Sequence, residues 1–184
     1  DQLPSEISTI LDIGCGPGFH SKYFQDRGMR PTGLDPVAEA FQFHGRIPFF
    51  NSALPELPPG QFDAIFASHV LEHSPDTMQT LQLWREKLRP GGYLIVIVPR
   101  YSSLVCSEHY ATGWNVGQLA AVMVSAGFDC RESTFAELGI HVCGYGKKTD
   151  MTPTEMQLPA TLPWLPSALA GSVSAALVIE GTNP

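Results

Sequence analysis

Leu11-Asp12-Ile13-Gly14-Cys15-Gly16-Pro17-Gly18 decides the fold of this chain. An apolar run from Thr9 to Ile13 reads as a strand, and three glycines in five residues then turn it abruptly toward a helix. Glycine permits both the turn and the close approach of a ligand to the backbone. The spacing is G-x-G-x-G behind an acid, shorter than the G-x-G-x-x-G that seats a dinucleotide pyrophosphate on a helix N-terminus.

Working outward, a helix is predicted from Phe19 to Arg27, closed by Gly28, then a strand from Pro31 to Asp35 and a short helix from Val37 to Phe43. A third strand is expected over Pro48–Asn51 and a fourth over Phe62–Ala67. Ser74-Pro75-Asp76 offers a helix start with Ser74 as N-cap, and Pro90-Gly91-Gly92 a stop. Tyr93–Val98 is apolar throughout, as a strand buried on both faces must be. Leu119, Val122, Met123 and Ala126 mark a further amphipathic helix, followed by strands over Asp129–Phe135 and Ile140–Gly146 that can pair antiparallel. This alternation predicts an α/β, Rossmann-like three-layer sandwich, its mostly parallel seven-stranded sheet closed by an antiparallel last strand.

Residues 1–148 form the predicted domain. Residues 149–184 are a Pro-rich tail, expected to fold over the acceptor side of the site. The chain opens almost directly on a strand, as a trimmed piece of a longer protein would. With 11 Lys and Arg against 18 Asp and Glu the net charge is −7, which opposes nucleic-acid binding, where affinity comes from neutralising phosphates. No apolar run approaches a membrane span. The four cysteines are scattered without a Cys-x-x-Cys pair, so reduced thiols in a cytoplasmic protein are expected, and no metal site.

Three further elements share the order of the glycine loop. Gly33-Leu34-Asp35 ends the second strand with a carboxylate able to accept from two vicinal hydroxyls, although Asp35-Pro36 can also cap a helix. Phe62-Asp63-Ala64-Ile65-Phe66-Ala67-Ser68-His69-Val70-Leu71-Glu72-His73 places Ser68 and His69 at a strand's C-terminal end, where open α/β sheets collect ligands. Leu88-Arg89-Pro90-Gly91-Gly92 precedes the fifth strand.

Over residues 9–148 the chain resembles the class I S-adenosylmethionine-dependent methyltransferases, and its Leu71-Glu72-His73 resembles those acting on small molecules. The resemblance implies S-adenosylmethionine as donor, S-adenosylhomocysteine as product and a small-molecule acceptor. It assigns cofactor contacts to Asp12, Gly14, Cys15, Gly16, Gly18, Asp35, Pro36, Ser52, Ser68 and His69. Ser52 enters because Asn51-Ser52-Ala53-Leu54 lacks the acid that meets the adenine amino group in many relatives. The chain also lacks the Asn-Pro-Pro-aromatic motif and the Pro-Cys nucleophile of nucleobase enzymes. His109-Tyr110-Ala111-Thr112-Gly113-Trp114-Asn115 resembles stand-alone bacterial methyltransferases near surface-sugar biosynthesis.

Where an acceptor must lose a proton, His69, His73, His109 and His141 are the candidate bases, with His109 and His69 foremost. For each histidine the competing reading is ordinary packing or surface exposure. Two other functions fit the loop less well: a methyltransferase-fold scaffold without catalysis, and a nucleotide-dependent oxidoreductase.

Overall fold

The computed structural model describes residues 4–51, 54, 57–100, 109–110 and 113–151. Eight strands form, one more than expected: β1 (Thr9–Ile13), β2 (Arg30–Leu34), β3 (Phe49–Phe50), β4 (Phe62–Ser68), β5 (Leu88–Pro99), β6 (Phe128–Asp129), β7 (Phe135–Leu138) and β8 (His141–Lys148). The helices are α1 (Phe19–Asp26), α2 (Thr77–Lys87) and α3 (Val116–Ser125). The sheet runs β3-β2-β1-β4-β5-β8-β6, with β7 also on β8. Strands β1 to β5 pair in parallel, while β8 is antiparallel to β5, β6 and β7.

Side-chain alternation along the central strands creates the three layers. Leu11, Ile65 and Ala67 share a buried cluster with Leu81 and Trp84 of α2 and Leu119 and Met123 of α3. Their neighbours Ile10, Ala64 and Phe66 point the other way, onto Phe24 of α1. Successive strand residues face opposite sides, so each middle strand must be apolar throughout. Leu94, Val96 and Val98 of β5 are accordingly fully buried.

The structure corrects four local expectations. Asp76, not Ser74, caps α2: its carboxylate accepts from the Gln79 amide at 2.9 Å, while the Ser74 hydroxyl is engaged by Thr80 Oγ1 at 2.5 Å. Pro90-Gly91-Gly92 does not stop that helix, which ends at Lys87; the segment is already part of β5, with a register shift between Phe62 and Ala64 opposite it. In place of a helix over Val37–Phe43 there is one 3-10 turn, Ala38–Ala40. The Gln42 amide donates to Pro17 O at 3.1 Å and Phe41 is buried, so tertiary ties to the glycine loop displace helical ones. Finally, the strand expected over Asp129–Phe135 is broken into β6 and β7. The Asp129 carboxylate accepts from the Arg131 amide at 3.0 Å, and the Ser133 amide reaches Cys130 O, which turns the chain out of the sheet between them. Both pieces return to one edge of β8.

Candidate active site

The C-terminal ends of β1, β2 and β4 meet around the glycine loop. Gly14, Gly16 and Gly18 all take positive φ, at 66°, 47° and 86°. A Cβ on Gly14 would lie 2.4 Å from Val70 Cγ2, so this glycine lets the segment after β4 press against the loop. A Cβ on Gly16 would meet nothing within 4 Å, which leaves that backbone open to a ligand. Gly18 faces inward instead, where a Cβ would strike the Phe41 ring.

Asp35 is latched to this loop. Its Oδ2 accepts from the Gly16 amide and its Oδ1 from the Val37 amide, both at 2.8 Å. A carboxylate has about four lone-pair sites, so two backbone bonds orient Asp35 and leave capacity for further donors. Val37 and Phe50 flank it with exposed apolar surface, 53% and 43% accessible. Asn51 explains the departure from the expected acid after β3. With its amide nitrogen turned toward β2 it donates to Pro36 O at 2.8 Å and Asp35 O at 3.3 Å, bracing the strand end from behind. Ser52 lies outside the described residues, as do residues 152–184 of the tail.

Asp12 and Cys15 lie beneath the loop. Asp12 is 1% accessible and takes the Ser21 hydroxyl at 2.6 Å. Burial raises its carboxyl to about 6, against the lowering effect of Ser21. Cys15 is buried next to Gly33, and burial pushes its thiol up to about 12, so it packs as a neutral group.

Ser68 ends β4, opposite Ile97, and His69 leaves the strand with φ 57°, the one positive-φ non-glycine among the described residues. Such a conformation costs on the order of 1–3 kcal/mol and persists where the surroundings enforce it. Here the His69 amide donates to Ile97 O at 2.9 Å, its Nδ1 meets Glu72 Oε1 at 3.1 Å and its Nε2 meets His141 Nδ1 at 2.9 Å. Glu72 is 1% accessible. Its carboxylate oxygen accepts, so Nδ1 of His69 carries the proton and Nε2 is left to accept from His141. His20 joins from α1: it tilts over Phe66, and desolvation and then His69 hold its imidazole below the ordinary 6.5.

His109 does not meet His69. Its ring lies edge-on to His73, with centroids 4.8 Å apart. Glu72 is common to both histidine pairs, since one of its oxygens lies within 4.8 Å of a ring nitrogen of each of His73 and His109. Sequence reasoning named His69, His73, His109 and His141 singly but missed Glu72 as the buried carboxylate between them, and missed His20. An acid three residues after a strand-end histidine was the available signal.

A sequence model described as a methyltransferase domain matches residues 3–132. The chain belongs to the class I S-adenosylmethionine-dependent methyltransferases. Among this family's curated members, the tRNA U34 carboxymethyltransferase of Alteromonas mediterranea is 33% identical over 128 residues, 58% of this chain and 39% of that protein. The ubiquinone biosynthesis O-methyltransferase of Pseudomonas paraeruginosa is 30% identical over 99 residues, 48% of this chain and 43% of that protein. The chain thus spans about two-fifths of the length of these relatives.

Solved structures agree on the fold. The 1,6-didemethyltoxoflavin-N1-methyltransferase of Burkholderia thailandensis, with bound 1,6-didemethyltoxoflavin and S-adenosylhomocysteine, gives a TM-score of 0.65 at 24% identity, covering 78% of this chain and 72% of that one. Human N-acetylserotonin methyltransferase gives 0.62 at 19%, covering 77% and 48%. Among the described residues, no helix is long and apolar enough to cross a membrane.

Proposed function

We propose that the protein transfers a methyl group from S-adenosylmethionine to an oxygen or nitrogen of a small acceptor, a sugar or comparable metabolite. The observation that carries the reading is the contact between Gly14 and Val70, which sets the His69 segment directly against the glycine loop. Donor-side and acceptor-side groups are thereby neighbours, as an in-line transfer requires.

The residues present fit the donor. Open backbone at Gly16 admits it, the unused lone pairs of Asp35 suit two ribose hydroxyls, and Val37 and Phe50 offer apolar cover for a base. When bound, the sulfonium supplies an already activated methyl group, so the protein has mainly to position and deprotonate. Glu72 holds His69, His69 accepts from His141 Nδ1, and the acceptor's proton passes to this relay through His141 Nε2. Ser68 and Pro36 line the strand ends, Asp12 and Cys15 hold the loop from below, and His109 stands on the acceptor side.

Relatives support a small acceptor by name, among them the ubiquinone biosynthesis O-methyltransferases and the toxoflavin N1-methyltransferase. The tRNA enzyme points elsewhere by name. The net charge of −7 weighs against a nucleic-acid partner for this chain.

Calorimetric titration with S-adenosylmethionine and S-adenosylhomocysteine tests the donor site. Saturable binding is expected, weakened in Asp35→Ala by about 1.5–3 kcal/mol, the usual value of hydrogen bonds to a charged group. Absence of binding by the parent chain would sink the reading.

A further inference from the structure

We infer that Glu72, His73 and His109 form a binding site for one divalent transition-metal ion of the zinc type, beside the His69–His141 relay. A ring nitrogen from each histidine and a carboxylate oxygen of Glu72 lie within 4.8 Å of one another. Ligand atoms around a tetrahedral zinc, with bonds of about 2.0–2.1 Å, stand about 3.3 Å apart. His73 is exposed and His109 half-buried, and metal binding would draw the three ligand atoms together by the difference.

Two observations separate this cluster from a chance meeting of polar side chains. Glu72 Oε1 is engaged by His69, but Oε2 is buried with no hydrogen-bond partner among the described residues. A buried carboxylate oxygen left bare is costly, and a cation in the cluster would satisfy it. Secondly, the backbone holds the ligands together. The Tyr110 amide donates to Glu72 O at 2.8 Å, pinning the His109 segment over the 3-10 turn Leu71–His73. Residues 72–73 and 109, far apart in sequence, are thus fastened by a main-chain bond adjacent to the ligands themselves.

Two imidazoles and one carboxylate select zinc, cobalt, iron(II) or nickel over magnesium and calcium, which prefer oxygen throughout. Three protein ligands leave a fourth position open, the arrangement of reactive rather than structural zinc sites. The ion's role, unlike its binding, rests on the methyl-transfer reading. An acceptor hydroxyl at the open position becomes more acidic and gives its proton to the His141–His69 relay. Its oxygen forms a bond to the methyl carbon as the carbon–sulfur bond breaks, and that electron pair stays on sulfur as S-adenosylhomocysteine leaves.

The test is a cobalt(II) titration of the full, tag-free chain, followed by visible absorption, with zinc as competitor and S-adenosylhomocysteine affinity measured in parallel. One cobalt per chain is expected, displaced by zinc. His73→Ala and His109→Ala should each weaken it by roughly 10–100-fold or more while S-adenosylhomocysteine affinity stays as in the parent, and His141→Ala should leave cobalt affinity unchanged. Failure of the parent chain to take up cobalt while it binds S-adenosylhomocysteine would overturn the site, as would cobalt binding indifferent to His73→Ala and His109→Ala. Cobalt binding without S-adenosylhomocysteine binding would support the site and overturn only the donor reading.

Discussion

At the N-terminal ends of the parallel strands Asp63 accepts from the amides of Ser8 at 2.8 Å and Thr9 at 2.7 Å and pairs with Arg89. Close by, the Lys148 ammonium donates to Leu88 O, and the Tyr93 hydroxyl donates to Glu6. At the opposite ends the Asp12 carboxyl is buried against uncharged partners, the hydroxyl and backbone amide of Ser21, Asp35 retains unused lone pairs, and Glu72 leaves an oxygen bare. Both buried side-chain atoms without a partner among the described residues, Glu72 Oε2 and Trp114 Nε1, belong to this second end. One edge ties the strands together with completed polar contacts. The other holds acids and histidines in states that a bound molecule would complete, as a reactive site requires.

The largest expected effect lies in the relay. His141→Ala should lower turnover on a hydroxyl acceptor by roughly 10²–10⁴-fold, the usual value of general base catalysis, with donor affinity little changed. His69→Ala should reduce turnover in the same direction and shift the pH–rate profile. An unchanged rate and profile in both variants would mean that the strained histidine serves packing alone.

Next come the opposite pH responses of the two edges. Asp12 is raised from 3.8 to about 6, so the folded state holds its proton more tightly than the unfolded state. Its contribution is fully present below the unfolded value and is lost as pH rises from about 4 to 6, by up to about 3 kcal/mol. Asp63 runs the other way: burial pushes it up, but the Thr9 and Ser8 amides, Thr9 and Arg89 outweigh that and hold it below the usual range. Its stabilisation is present above the unfolded value and is lost as pH falls through the depressed one. Urea unfolding across acid and neutral pH should show Asp12→Asn without the loss between about pH 4 and 6. Asp63→Asn should be weaker at neutral pH and less sensitive to acid. A wild-type decline over pH 4–6 in Asp12→Asn would place its source elsewhere.

Legibility in the sequence follows the range of the forces concerned. The strand-to-helix turn after Ile13 was readable because glycine spacing is local chemistry, and β5 because an uninterrupted apolar run has few other uses. The break between β6 and β7 depends on whether Asp129 bonds its own backbone or lets the strand continue, which composition does not reveal. Ser74 and Asp76 were both acceptable caps, and the Thr80 hydroxyl removed Ser74 from the choice. The histidines were visible as types, but residues 69 and 141 meet only because β8 returns antiparallel beside β5 and brings His141 opposite Pro99. That pairing is a property of the whole sheet. Asn51 looked like a lost adenine contact because its bonds to the backbone of Asp35 and Pro36 cross between strands.

The smallest effects come from a pair of glycines, one at each edge. A Cβ on Gly14 would meet Val70 Cγ2 at 2.4 Å on a backbone with φ 66°, whereas a Cβ on Gly92 would meet Arg89 O and Asp63 O at 3.0 Å without a left-handed backbone. Gly14→Ala therefore combines a clash with strain and should cost roughly 1–3 kcal/mol in unfolding free energy. It should also weaken S-adenosylhomocysteine binding, because the displaced residues are the loop itself. Adding Val70→Ala should relieve the clash but not the φ penalty, so rescue should be partial. Gly92→Ala crowds two carbonyls that cannot rotate away and should cost about 1 kcal/mol, with ligand affinity intact. Comparable loss of affinity in both variants would show that the two edges move together, and the division between a fastening edge and a reactive edge would have to be abandoned.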